Sequence, residues 1–135
     1  MTGIKKALTS FWGSFVLDGK PVQAYGEDAL PVEDATFPYI IFKCEYSKEM
    51  NGMETAATLW FDATQPDANA KRALLCDEIE KRIGAFGVIL PVETGGHLIM
   101  TRSTGSFISD YTPEPDGAVI GARVGVVLYN FSMII

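Results

Sequence analysis

The 135-residue chain carries 11 Lys and Arg against 17 Asp and Glu, a formal charge of −6. It is long enough for one domain that buries roughly two thirds of its unfolded surface without a metal or a disulfide staple. The cations are scattered among the acids with no basic stripe, which argues against wrapping nucleic acid, where each phosphate contact asks for a Lys or Arg.

Ile4, Ala7, Leu8, Phe11, Trp12 and Phe15 fall at helical spacing. This predicts an amphipathic helix over residues 2–14, ended by Gly13 or by Asp18-Gly19, with its aromatic stripe in the core. Lys5 and Lys6 ahead of an apolar run also raise a signal peptide. Thr9, Ser10, Gly13 and Ser14 interrupt that run, and Asp18-Gly19-Lys20-Pro21 separates it from the cleavage-like Val22-Gln23-Ala24, so no leader is expected. Residues 21–25 read as a short strand and 26–36 as a polar, Pro-containing crossing segment. Residues 37–46 read as a long strand with Pro38 near its start and Ile40, Phe42, Cys44 and Tyr46 on its core face.

Asn51-Gly52 stands at the centre of residues 47–54, turn chemistry that predicts an antiparallel hairpin. Glu49, Met50, Asn51 and Met53 fall at its tip and are the candidate protein-contact residues; the two methionines either seek a partner or pack back on the hairpin. Residues 57–61 read as a strand ended by Asp62 and the polar link 63–67. Asp67 or Asn69 then caps a helix whose apolar stripe is Ala73, Cys76, Ile79 and Ile83, widened by Leu75 and stopped by Gly84. Its outer face mixes signs, with Asp77 to Lys81 and Glu78 to Arg82 as favourable pairs four apart.

Residues 88–93 and 97–102 flank Thr94-Gly95-Gly96 as a second hairpin, and Pro91 places the first of these strands at a sheet edge. Residues 107–117 read as an acidic, Pro-rich loop in which Asp110, Glu114 and Asp116 form a solvated negative surface. Residues 119–135 close the chain as a strand; the apolar run 124–135 is shorter than the ~20 residues a membrane-crossing helix needs. The order predicts one α+β domain over 1–135, a mainly antiparallel β-sheet with two α-helices packed on one face.

Patterns that carry chemistry are sparse. His97 is the single histidine, and no Cys or second His is spaced to share a metal with it. Cys44 and Cys76 lie far apart on apolar-patterned stretches without Cys-x-x-Cys spacing, so two reduced core thiols are expected in preference to a disulfide or a metal pair. The glycines form no phosphate loop, and Gly121-Ala-Arg-Val-Gly125 lies inside a predicted strand, where glycine permits close backbone approach. No catalytic residue, metal ligand or cofactor is expected.

The N-terminal helix, Phe37-Pro38-Tyr39-Ile40, the strand Thr58-Leu59-Trp60-Phe61-Asp62 leading through a polar link to the helix that stops at Gly84, and the late strand Val126-Val127-Leu128-Tyr129-Asn130-Phe131 resemble the tail terminator (tail completion) proteins of long-tailed bacteriophages and their neck-protein relatives. The resemblance covers nearly the whole chain in element order. It implies a non-enzymatic virion protein, assembled in the host bacterial cytoplasm, whose homohexameric ring sits on the last tail-tube ring, stops tube growth and meets the head-tail connector. DNA would pass through without specific binding, no membrane is involved, and Asp110, Glu114 and Asp116 would face the lumen or the head side. Two alternatives stand beside it: a minor capsid or head-tail adaptor subunit of the neck, and a small enzyme with His97 as its base.

Overall fold

The N-terminal spacing folds as expected. In the computed structural model, which describes residues 2–27, 36–43, 51–92, 96–111 and 118–131, it forms α1 (Thr2–Trp12). Ile4, Leu8, Phe11, Trp12 and Phe15 are buried, and Ala7 packs partly against them. The ring of Phe11 meets Trp12 and Phe15 edge-on, with centroids 5.0 and 5.5 Å apart, the geometry that opposes ring edge to ring face. Gly13 ends the helix, its N–H donating to the Thr9 carbonyl at 2.9 Å. The strand expected over 21–25 is divided: β1 (Val16–Leu17) and β2 (Lys20–Pro21) pair with each other, and β3 (Gln23–Gly26) joins the main sheet.

There follow β4 (Tyr39–Phe42), β5 (Asn51–Asp62), α2 (Ala68–Ile83), β6 (Val88–Pro91), β7 (His97–Arg102), β8 (Ile108–Tyr111) and β9 (Val119–Phe131). The main sheet runs β3-β4-β5-β9-β7-β6, with β8 also paired to β9. β3 and β4 are parallel and the other described pairs antiparallel, so the α+β class holds. The long β5 and β9 pair along almost their whole length and form its axis.

Alternate residues of these strands enter one buried cluster: Ile40 and Phe42, Ala57, Leu59 and Phe61, Ala122, Val124, Val126 and Leu128, Leu98 and Met100. Period-two alternation requires this once one face is dry, and for Ile40 and Phe42 it is the face expected. The α1 stripe and Leu75, Ile79 and Ile83 of α2 complete the cluster. α2 lies against β5, β7 and β9, whereas α1 touches β3 and β6, the two ends of the strand order, so the sheet curls.

Four local expectations change. The buried positions of α2 are Ala68, Leu75, Ile79 and Ile83, while Ala73 is exposed and Cys76 half-buried; turning the helix toward Leu75 buries far more apolar area than turning it toward Ala73. Asp67 occupies the N-cap position without a side-chain cap, its carboxylate instead pairing with Lys71 at 3.3 Å. Asn51 and Gly52 lie inside β5, where Gly52 (φ 82°) accompanies a register shift against β9, a β-bulge in place of the centre of a turn; β4 and β5 are nevertheless antiparallel neighbours. Ile108–Tyr111, expected in a loop, is a strand.

Pro91 does sit on an end strand. Val92 N–H donates to the Gly96 carbonyl across the β6–β7 pair, so by alternation the N–H that Pro91 lacks would have pointed to the free edge. Cys44, Glu49, Met50, Glu114 and Asp116, residues 93–95 of the expected second hairpin turn, and residues 132–135 lie outside the described residues.

Candidate functional site

The strand residues between the core positions point to the other face of the sheet. Register puts Tyr39, Trp60, Gly121 and Tyr111 in one row across four strands, and Ile41, Thr58, Arg123 and Ser109 in the next. With no side chain at Gly121, Trp60 and Tyr111 meet across β9, centroids 6.1 Å apart at 72°. Tyr39 stacks on Trp60 at 5.7 Å and 12°. Trp60 Nε1 donates to Thr58 Oγ1 at 2.9 Å, which lays the indole along its own strand.

β7 and β8 use the same edge of β9, one beside residues 126–131 and the other beside 121–124. Between them residues 103–107 swing outward, held where Ser103 N–H donates to the Gly125 carbonyl at 3.1 Å and Gly125 N–H donates to the Phe107 carbonyl at 2.6 Å. A groove of about 870 Å³ results. Ala56 and Thr58 supply small side chains along it and Gly125 none, and Trp60, Tyr111, Glu27, Lys43, Glu54 and residues 103–106 also line it. Arg123 lies along β9 with Nη1 3.6 Å from the place a Cβ on Gly125 would occupy. This arrangement offers a ring platform, a guanidinium and several hydroxyls to whatever enters. A second groove, about 600 Å³, runs between α1 and β6 over Ala7, Phe11, Leu90 and Val92.

Those of the expected contact residues that are described, Asn51, Met53 and Asp110, fall elsewhere. Met53 packs partly buried against the core cluster, and Asn51 lies opposite Tyr129 in β5. Asp110, on β8, shares the face of Ala122 and reaches Arg72 of α2 at 3.8 Å while its side chain stays 86% exposed. Neither Met53 nor Asp110 lines the larger groove, and neither does His97, which opens β7 opposite Pro91 and Phe131. The groove was missed because its residues come from non-adjacent strands; the signal that marks it is a pair of glycines bracketing Arg123 within one strand.

Electrostatics around α2 serves to hold the fold. Hydrogen bonds to Asp67 and then Asp18 raise the Lys71 ammonium above its ordinary range and tie the β1–β2 turn to the helix. Asp62 is lowered by the Thr64 hydroxyl and then the Thr64 N–H, which donate to its Oδ1 at 2.6 and 3.0 Å. Burial pushes the Cys76 thiol up to about 11. Among the described residues no three His, Cys, Asp or Glu side chains converge as metal ligands, and no helix is long and apolar enough to cross a membrane. Compared with protein-family models, curated proteins and solved structures, the chain matches none.

Proposed function

We propose that this chain is an assembly subunit that forms a homo-oligomeric ring, of the tail terminator kind, capping a tail tube and presenting its other side to head-side connector proteins. The observation that carries the reading is the unequal treatment of the two faces of the sheet. One face is closed by a continuous core that takes in residues of both helices. The other holds the open groove, while Phe86, Ile89, Leu74 and Val16 remain exposed away from the core. Exposed apolar side chains of this sort mark surfaces that other proteins cover, and a ring subunit requires two such patches that meet when one copy follows another. The order of the elements, an amphipathic helix, a Trp-bearing strand running into α2 and a long closing strand, supports the same reading.

Native mass spectrometry of the purified chain tests it: a hexamer is expected, a dodecamer would favour the adaptor alternative, and a monomer at high concentration would overturn the ring. Added to tail-tube protein as it polymerises, the ring is expected to arrest elongation.

A further inference from the structure

Four charged side chains of both signs line the groove beside β9: Glu27 and Lys43, which follow β3 and β4, Glu54 on β5 and Arg123 on β9. The lining is therefore balanced in charge, and all four residues are exposed. Their hydrogen-bonding capacity is largely unspent. Among the described residues Glu27, Lys43 and Arg123 make no hydrogen bond or ion pair, and Glu54 accepts one long bond, from Ser103 Oγ at 3.5 Å. The other three arginines are each committed within the chain, Arg82 over the Phe15 ring, Arg102 over Phe107 and Arg72 at the Gly121 carbonyl. At the Gly125 end the Ser106 carbonyl and the Ser103 side chain already occupy the space over the sheet. The adjoining rows supply Ile41 and Thr58, then the half-buried Trp60 and Tyr111.

We propose that this groove binds a short, neutral oligosaccharide. An apolar ligand would take water from four charges and return no hydrogen bond. A polyanion would meet Glu27 and Glu54, and a polycation Lys43 and Arg123. A guanidinium or an ammonium only donates and a carboxylate only accepts, whereas a hydroxyl does both. Sugar hydroxyls thus donate to Glu27 and Glu54 and accept from Lys43 and Arg123, in charge-assisted bonds at both, while the C–H surface of the sugar lies against Trp60 and Tyr111. The Trp60 indole is set before any ligand arrives, by the Thr58 hydroxyl at 2.9 Å and the Tyr39 ring stacked on it, which spares the cost of ordering it. From β3 to β9 the groove crosses three strand spacings, about 14 Å, and its volume of about 870 Å³ lies within the ~300–1,000 Å³ of small-ligand sites. That span suits a short chain of sugar units better than a single one.

The site lies within one chain, so its test is separate from that of the ring. Saturation-transfer NMR and isothermal titration are run against neutral trisaccharides of glucose, mannose, galactose and N-acetylglucosamine, with trigalacturonate and a proline-rich peptide as comparators. At least one neutral trisaccharide is expected to bind with a Kd of about 1 mM or tighter, and more tightly than either comparator. Arg123→Ala and Glu54→Gln, both at exposed positions, should keep the wild-type circular dichroism and melting point yet each weaken that binding at least about tenfold. Phe86→Ser, at an exposed position outside the groove, should leave it unchanged. If no neutral trisaccharide binds by about 10 mM, or if the two groove variants bind as well as wild type, the assignment is overturned. Tighter binding of trigalacturonate or of the peptide would overturn it too, because the groove would then take an anion or a protein segment.

Discussion

Replacing Gly121 by Ala asks whether the aromatic row is built around a missing side chain. Gly121 is buried between Trp60 of β5 and Tyr111 of β8. A Cβ there would collide with the Leu59 carbonyl oxygen and would stand 3.3 Å from the Leu59 carbonyl carbon and 3.4 Å from the Tyr111 carbonyl oxygen. All three are backbone atoms, so relief requires β9 to move relative to β5 or β8. Movement is resisted because Leu59 is fully buried and Arg72 of α2 donates to the Gly121 carbonyl at 3.2 Å. Overpacking of this sort costs about 1–3 kcal/mol, and the narrower unfolded ensemble of Ala offsets about 0.4–1 kcal/mol. A net loss of about 1–2 kcal/mol corresponds to a fall of roughly 3–10 °C in melting temperature for a domain of this size.

Thermal unfolding followed by circular dichroism reads the fall, and the near-ultraviolet bands of the indoles report whether the row is disturbed. Gly105→Ala is the control: its Cβ would meet only Ser103 Oγ, at 4.0 Å, and its melting point should hold or rise slightly. If the two variants melt within about 1 °C of each other, the crowding at Gly121 does not exist and the proposed register of β5, β9 and β8 is wrong.

Three further outcomes follow from the packing of α2 and of the link before it. Leu75→Ala, at a position 0% exposed, should cost about 2–5 kcal/mol in urea unfolding, whereas Leu74→Ala, 54% exposed, should stay within about 0.5 kcal/mol of wild type. In a Cys44→Ser background at pH 8, the Cys76 thiol, pushed up to about 11, should react with a disulfide reagent at least about a hundredfold more slowly than in denaturant, where a free thiol titrates near ~8.5; equal rates would mean that α2 does not shelter it. Asp62 has its folded titration point lowered by Thr64, so its contribution to stability is present above the unfolded carboxylate range and disappears as pH falls through the lowered value. Asp62→Asn should therefore unfold with a shallower acid dependence below about pH 4, measured as melting temperature against pH.

The elements that sequence spacing located are those whose partners are close by or whose pattern is long. α1 needs only its own stripe to declare itself, and β6 with β7 needs only a glycine-rich link and Pro91. Asn51-Gly52 misleads because the same dipeptide serves a hairpin turn and a bulge; what selects the bulge is β9, seventy-odd residues away, continuing the ladder past it. β8 is hidden for a related reason: Ile108, Ser109, Asp110 and Tyr111 are too few and too mixed to show alternation, and their strand character comes from the edge of β9 left open beyond β7. In α2, Leu74 and Leu75 stand side by side, so spacing alone leaves the facing direction free to turn, and the sheet settles it in favour of Leu75.

The groove combines both difficulties, since Trp60, Arg123 and Tyr111 become neighbours only through a register that no local pattern specifies. Yet one local trace existed. A strand that places Gly at two positions on the same face, with Arg between them, gives up packing on that face twice over, and β9 does so where its core-facing residues, Ala122, Val124 and Val126, are packed without interruption. Glycines confined to one face of a strand therefore point to close approach by something on that side: here the Leu59 and Tyr111 carbonyls at Gly121 and the Ser106 carbonyl at Gly125. Both approaches are made within the chain itself, so the two missing side chains are what let β5, β8 and the 103–107 loop converge on β9, with Arg123 lying between the two contacts.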